Sequence, residues 1–133
     1  MDGIVSVLTQ VLIADDSQPL RSALCKLIEE HPGWVCSEAI NGGDAITKIE
    51  QLAPDILILG LCMPSMNGLQ AARTIRKLLP DLPILLYTTD LPPALVSMAQ
   101  RCGIQGTVSK FNSGQIVKGI EALLRHQTFF CQN

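Results

Sequence analysis

The chain has 133 residues, 47% of them hydrophobic and 17% charged, which is enough apolar material for one packed domain and too much for a disordered segment. The formal net charge is −2 and the ten Lys and Arg are scattered, so no basic run is present to neutralise a row of phosphates, and direct nucleic-acid binding is not expected. The five cysteines (Cys25, Cys36, Cys62, Cys102, Cys131) show neither a CxxC nor a metal-type spacing, no apolar stretch approaches the ~20 residues of a membrane span, and the N-terminus lacks a basic-then-apolar leader. A reducing cytoplasmic location without a membrane partner is therefore expected.

Short β-rich apolar runs alternate with amphipathic stretches, the rhythm of strand–helix–strand units around a parallel sheet. The first strand is read at Thr9 to Ala14, nearly all apolar, as suits burial on both faces. Ser17 is placed to cap a helix from Gln18 to His31, with Pro19 in its first turn and Leu20, Leu24, Leu27 and Ile28 on one face. Pro32-Gly33 ends it, Trp34 to Ala39 alternates like a strand, and Ala45, Ile46, Ile49 and Leu52 line a second helix after Asn41-Gly42-Gly43. Ile56 to Leu59 forms a third strand, followed by the loop Gly60 to Gly68 and a helix whose face carries Leu69, Ala72, Ile75 and Leu79. Pro83 to Tyr87 is the fourth strand, Pro92 to Arg101 a helix, and Gly106 to Ser109 the fifth strand. Ile116, Ile120, Leu123 and Leu124 mark the last helix. Residues 126–133 show no pattern and are read as a tail or linker stub, and the whole chain, 1–133, as one domain. The expected fold is α/β: a single doubly wound, five-stranded parallel sheet flanked by five helices.

Ligands and chemistry gather at the C-terminal strand ends of such sheets. Asp15 and Asp16 follow the first strand, Gly60 the third, Thr88 the fourth and Lys110 the fifth. Two carboxylates, a hydroxyl and an ammonium converging at one edge would suit a divalent cation and a phosphoryl group. Singly each residue has a bland reading: an acidic pair at a helix start, a solvated lysine, an ordinary strand-end threonine. Their joint placement carries the reading.

With those positions in hand, the chain resembles a bacterial response-regulator receiver domain from end to end, in VLIADDS, DILILGLCMPSMNG, PILLYTT and GIQGTVSK. Its last two helices and Phe129-Phe130 look most like the receivers that precede helix-turn-helix DNA-binding domains of the NarL/LuxR kind. The resemblance implies a flavodoxin-like (CheY-like) strand order of 2-1-3-4-5 and a place in phosphorelay signalling. It implies Mg²⁺ ligation by Asp15, Asp16 and the backbone carbonyl of Cys62, and contacts of Thr88 and Lys110 with the phosphoryl group. As partners it implies a sensor kinase, and a protein or a second copy docking through helix 4, strand 5 and helix 5, or through helices 1 and 5.

Two positions depart from the family pattern. The phosphate acceptor should stand at position 60, where this chain has glycine, and glycine has no group with which to attack phosphorus. Asp55 begins the same strand, but five residues at ~3.3 Å each put it roughly 16 Å away. Cys62 carries a nucleophilic atom without any sign of activation. The second departure is Thr107, at the switch position that usually holds Tyr or Phe three residues before the lysine. Without a third aspartate the pocket carries about −1 rather than about −2, so a weak or vestigial Mg²⁺ site is expected, with Lys110 turning to Asp15 or Asp16 instead. The reading is a degenerate, non-enzymatic receiver acting through protein–protein contact. The competing readings are a working receiver with another acceptor or with Gly60 replacing a native aspartate, regulating a transcription-factor output, and a flavodoxin-like FMN protein. The latter is disfavoured by the two carboxylates where a phosphate loop would lie.

Overall fold

The computed structural model of the chain describes residues 7–132. Eleven elements follow in order: β1 (Thr9–Ala14), α1 (Gln18–Glu29), β2 (Trp34–Ala39), α2 (Gly42–Leu52), β3 (Ile56–Gly60), α3 (Gly68–Leu78), β4 (Ile84–Thr88), α4 (Pro93–Arg101), β5 (Gly106–Ser109), α5 (Ser113–Leu124) and β6 (Phe129–Phe130). The strands form one parallel sheet in the order β2-β1-β3-β4-β5-β6.

The central strands β3 and β4 are buried at every residue, which explains why their sequences are apolar almost throughout. Each face of the sheet carries its own core. On one side Leu12, Leu57, Leu59, Ile84 and Leu86 pack with Ala45 and Ile49 of α2, Ala72 and Ile75 of α3 and Ala99 of α4. On the other, Val11, Ile13, Ile58, Leu85 and Val108 pack with Leu24 and Ile28 of α1 and Ile116, Ile120 and Leu123 of α5. Helix starts follow their caps: the Ser17 side chain accepts the Leu20 amide, Asn41 accepts that of Asp44, and Asn67 with Gln70 forms a reciprocal capping box. Helix α1 stops two residues short of the expected His31, whose amide bonds to Ile28 O at 3.0 Å while its ring stacks on Trp34 with centroids 3.7 Å apart.

One expectation is corrected. Among the described residues the sheet has six strands rather than five, and the segment read as patternless contains the sixth. After α5 the chain reverses at His126, which takes a left-handed φ of 62°, and runs back along the outer edge of β5. A two-residue strand is too short for alternation to register. What it pairs through is backbone, which no residue type advertises.

Candidate functional site

Parallel pairing brings the C-terminal ends of β1, β3, β4 and the turn after β5 to one edge of the sheet. Asp15 is the residue after β1 and is only 2% exposed. Its Oδ1 accepts the Ser17 amide at 2.9 Å and its backbone carbonyl accepts Arg21 Nη1 at 2.7 Å. Its Oδ2 lies 3.2 Å from Lys110 Nζ, an ion pair that reaches from the end of β1 to the residue after β5. Lys110 is fixed from its other sides. Its amide bonds to Thr88 O at 2.8 Å, its carbonyl is 3.5 Å from the Tyr87 hydroxyl, and its ammonium sits 5.8 Å from the Tyr87 ring centroid. Burial, with the negative charge of Asp15 added, raises the Tyr87 phenol above its ordinary pKa.

Gly60 closes β3 between these two groups. A Cβ built on it would collide with Asp15 Oδ2 and come within 3.2 Å of Asp15 Cγ and 3.4 Å of Ala14 O. The carboxylate of Asp15 thus stands in the volume where a side chain at position 60 would begin. Gly68 shows the same crowding from beneath: a Cβ there would run into Gly60 O, and its amide bonds back to Leu61 O at 2.8 Å, so the loop 61–67 must close onto a glycine.

The other expected site residues are placed as follows. Thr88 ends β4 and is 5% exposed; its carbonyl holds the Lys110 amide. Asp16 is exposed and borders a hollow of about 570 Å³ shared with Leu61, Cys62, Met63, Pro64 and Leu95. Cys62 is exposed in the loop after β3. Thr107 lies within β5, fully buried, away from this edge, and its hydroxyl donates to Cys131 O at 2.7 Å. Asp55 is at the opposite end of β3, where its carboxylate accepts the Gln10 amide.

As arranged, the buried carboxylate named for Mg²⁺ is already engaged on both oxygens. One oxygen of Asp15 is on Lys110 and the other on an amide, and no three His, Cys, Asp or Glu side chains come together as a metal set among the described residues.

Arg21 was missed in the sequence. It is only 8% exposed, donating through Nη1 to Asp15 O and through Nε to Glu38 Oε1 at 2.9 Å, so it clamps the end of β1 to β2 from inside α1. The signal was present: Arg21, Leu24 and Ile28 share a helical face, and a cation on an apolar face asks for a buried partner.

Comparison with known proteins agrees with this architecture. The sequence profile of the response regulator receiver domain matches residues 11–121. A putative transcriptional regulator of Pseudomonas aeruginosa is 29% identical over 118 residues, covering 88% of this chain and 57% of that protein. A protein-glutamate methylesterase/protein-glutamine glutaminase of Treponema denticola is 40% identical over 57 residues, 42% of this chain and 15% of that enzyme. The chain therefore spans less than two thirds of the length of both curated relatives. Among solved structures, a LuxR-family two-component response regulator from Aurantimonas superposes with a TM-score of 0.89 at 29% identity, covering 92% of this chain and 89% of the other. The isolated receiver domain of Salmonella enterica RcsB gives 0.84 at 25% identity, with 93% and 94% covered. No helix among the described residues is long and apolar enough to cross a membrane. With the sheet order, the helix layers and a profile match running from β1 into α5, the chain belongs to the response regulator receiver domain family.

Proposed function

We propose that this receiver works in two-component signalling without being phosphorylated, as a non-enzymatic module that acts by binding another protein or a second copy of itself. The observation that supports the reading is the collapsed pocket. Gly60 offers no carboxylate, Asp15 occupies the space its side chain would take, and Lys110 is paired with Asp15. Phosphoryl transfer to an aspartate needs a free carboxylate oxygen in line with the leaving group and a cation on the phosphoryl oxygens. Here the only buried carboxylate at this edge among the described residues has both oxygens engaged, and the cation is spent on it. Asp15, Asp16, Thr88 and Lys110 are then a vestigial phosphate pocket, any Mg²⁺ affinity is far below that of a phosphorylatable receiver, and Thr107 no longer reports on the pocket. Regulation of a transcriptional output fits the LuxR-family likeness, with docking through α4, β5 and α5 or through α1 and α5.

The test is intact-mass spectrometry after incubation with a small acyl phosphate and Mg²⁺. No adduct is expected. A stable gain of about 80 Da, mapped to Asp16, Cys62 or any other residue, overturns the proposal in favour of an alternative acceptor.

A further inference from the structure

We propose that the outer edge of β5 is a strand-accepting interaction site, that in this chain its occupant is the chain's own segment Phe129–Cys131, and that Thr107 is the residue that holds the segment in place. The inference goes beyond the proposed function and does not depend on Gly60.

An open strand edge is a row of unsatisfied donors and acceptors that templates any extended segment within reach. On β5 that row is taken by the tail: the Phe129 amide bonds to Gln105 O at 3.0 Å and the Cys131 amide to Thr107 O at 2.9 Å. The register is parallel, Gly106 opposite Phe129 and Thr107 opposite Phe130. Thr107 adds a side-chain bond that a plain ladder lacks, its hydroxyl donating to Cys131 O at 2.7 Å. Cys131 is thereby held at both its amide and its carbonyl by one fully buried residue.

The seat is shaped for an aromatic residue. Gly119 lies inside α5, where glycine weakens a helix. A Cβ there would come within 3.2 Å of Phe129 Cδ2 and 3.2 Å of Leu85 Cδ2. Gly106 lies inside β5, and a Cβ on it would stand 2.8 Å from Phe129 O and 2.7 Å from Leu85 Cδ1. Both positions thus need glycine for the tail backbone and the Phe129 ring to lie where they do. The site's ligand class follows: an extended segment with an aromatic residue opposite Gly106, and free amides at that residue and two further on, so no proline at either.

The attachment is light. Phe129, Phe130 and Cys131 are only half-buried, and the ladder is two residues long, which places its opening at the low end of local unfolding energies. Only Arg125–Thr128 separate it from α5, so the tail competes for the groove at an effective concentration in the millimolar range. An outside segment enters only when the tail is weakened. The chain thus carries its own competitor for the β5 edge.

Two measurements on the full chain test this. Hydrogen exchange followed by NMR should show the Phe129 and Cys131 amides protected, with exchange speeding up roughly three- to tenfold in Thr107→Val, which keeps the shape and removes the hydroxyl. Coil-like exchange of these amides in the wild type, or no change in Thr107→Val, overturns the assignment. In the second, a synthetic peptide of the sequence Gln127–Gln132 is titrated into Phe129→Ala and into the wild type. Binding to the variant alone is expected, and a peptide carrying alanine in place of its first phenylalanine should bind neither. If the variant has lost protection at Cys131 yet takes up no peptide, the groove is not a strand-accepting site.

Discussion

Placing an aspartate at position 60 should damage the fold before it allows any chemistry. In Gly60→Asp the new Cβ occupies the place of Asp15 Oδ2, so Asp15 must rotate out and release Lys110. The uncharged Gly60→Asn imposes nearly the same shape, and that overpacking should cost about 1–2 kcal/mol. The aspartate adds repulsion between two carboxylates roughly 4 Å apart, about 4 kcal/mol at an effective dielectric of ~20, of which Lys110 offsets about half. Gly60→Asp should therefore be about 2 kcal/mol less stable than Gly60→Asn, a further drop in Tm of roughly 6–10 °C for a domain of this size. With the third carboxylate present, Mg²⁺ gains a site. At ~10 mM, with a Kd of ~1 mM, it should return about 1.4 kcal/mol to Gly60→Asp while leaving Gly60→Asn and the wild type unmoved. Urea titrations of the three proteins with and without Mg²⁺ measure every term. Equal stabilities of the aspartate and asparagine variants in the absence of metal, or a wild type that responds to Mg²⁺ as strongly as Gly60→Asp, would refute the reasoning.

Removing the inner clamp with Arg21→Met should cost about 2–3 kcal/mol in chemical denaturation, since Asp15 O and Glu38 both lose a charge-assisted bond; a loss under 0.5 kcal/mol contradicts the buried role. The cysteines should divide sharply toward a thiol reagent at pH 7.5. Burial pushes the Cys25, Cys36 and Cys131 thiols up, in Cys25 and Cys36 with Glu29 and Glu38 adding to the rise, whereas Cys62 is exposed, so Cys62→Ser should abolish the fast phase. Asp44 sets a pH dependence. Its carboxyl accepts the Ile40 amide, the larger cause, and pairs with Lys48, which together hold it below its ordinary value of 3.8 against a modest opposing effect of burial. A depressed folded-state pKa stabilises above the unfolded value and is lost as pH falls through the folded one. Asp44→Asn should therefore cost about 0.5–1 kcal/mol at pH 7 and nothing once the pH is below both values; a penalty independent of pH counts against the assignment.

Much of the architecture was legible because the apolar pattern carries it. The uninterrupted run Ile56–Leu59 reads as a buried strand, and Ser17 stands at its helix start as a cap in the sequence itself. The gathering of Asp15, Gly60 and Lys110 at one edge was also legible, because strand direction follows from the crossover helices. What escaped was carried by backbone or by empty space. Strand β6 is recognised through amides and carbonyls and through Gly106 and Gly119, whose lack of a side chain only becomes a seat once β5 and α5 are packed together. The inward turn of Asp15 depends on a volume left vacant by a residue 45 positions away. Arg21 was hidden because an arginine in a helix is ordinarily solvated.

The Asp15–Lys110 pair has one more consequence. It joins the residue after the first strand to the residue after the fifth, across the ends of β3 and β4, so its two charges meet only when β1, β3, β4 and β5 lie side by side. The two charges are 95 residues apart in the chain. Their contact therefore ties the assembled strands to one another rather than bracing any single element.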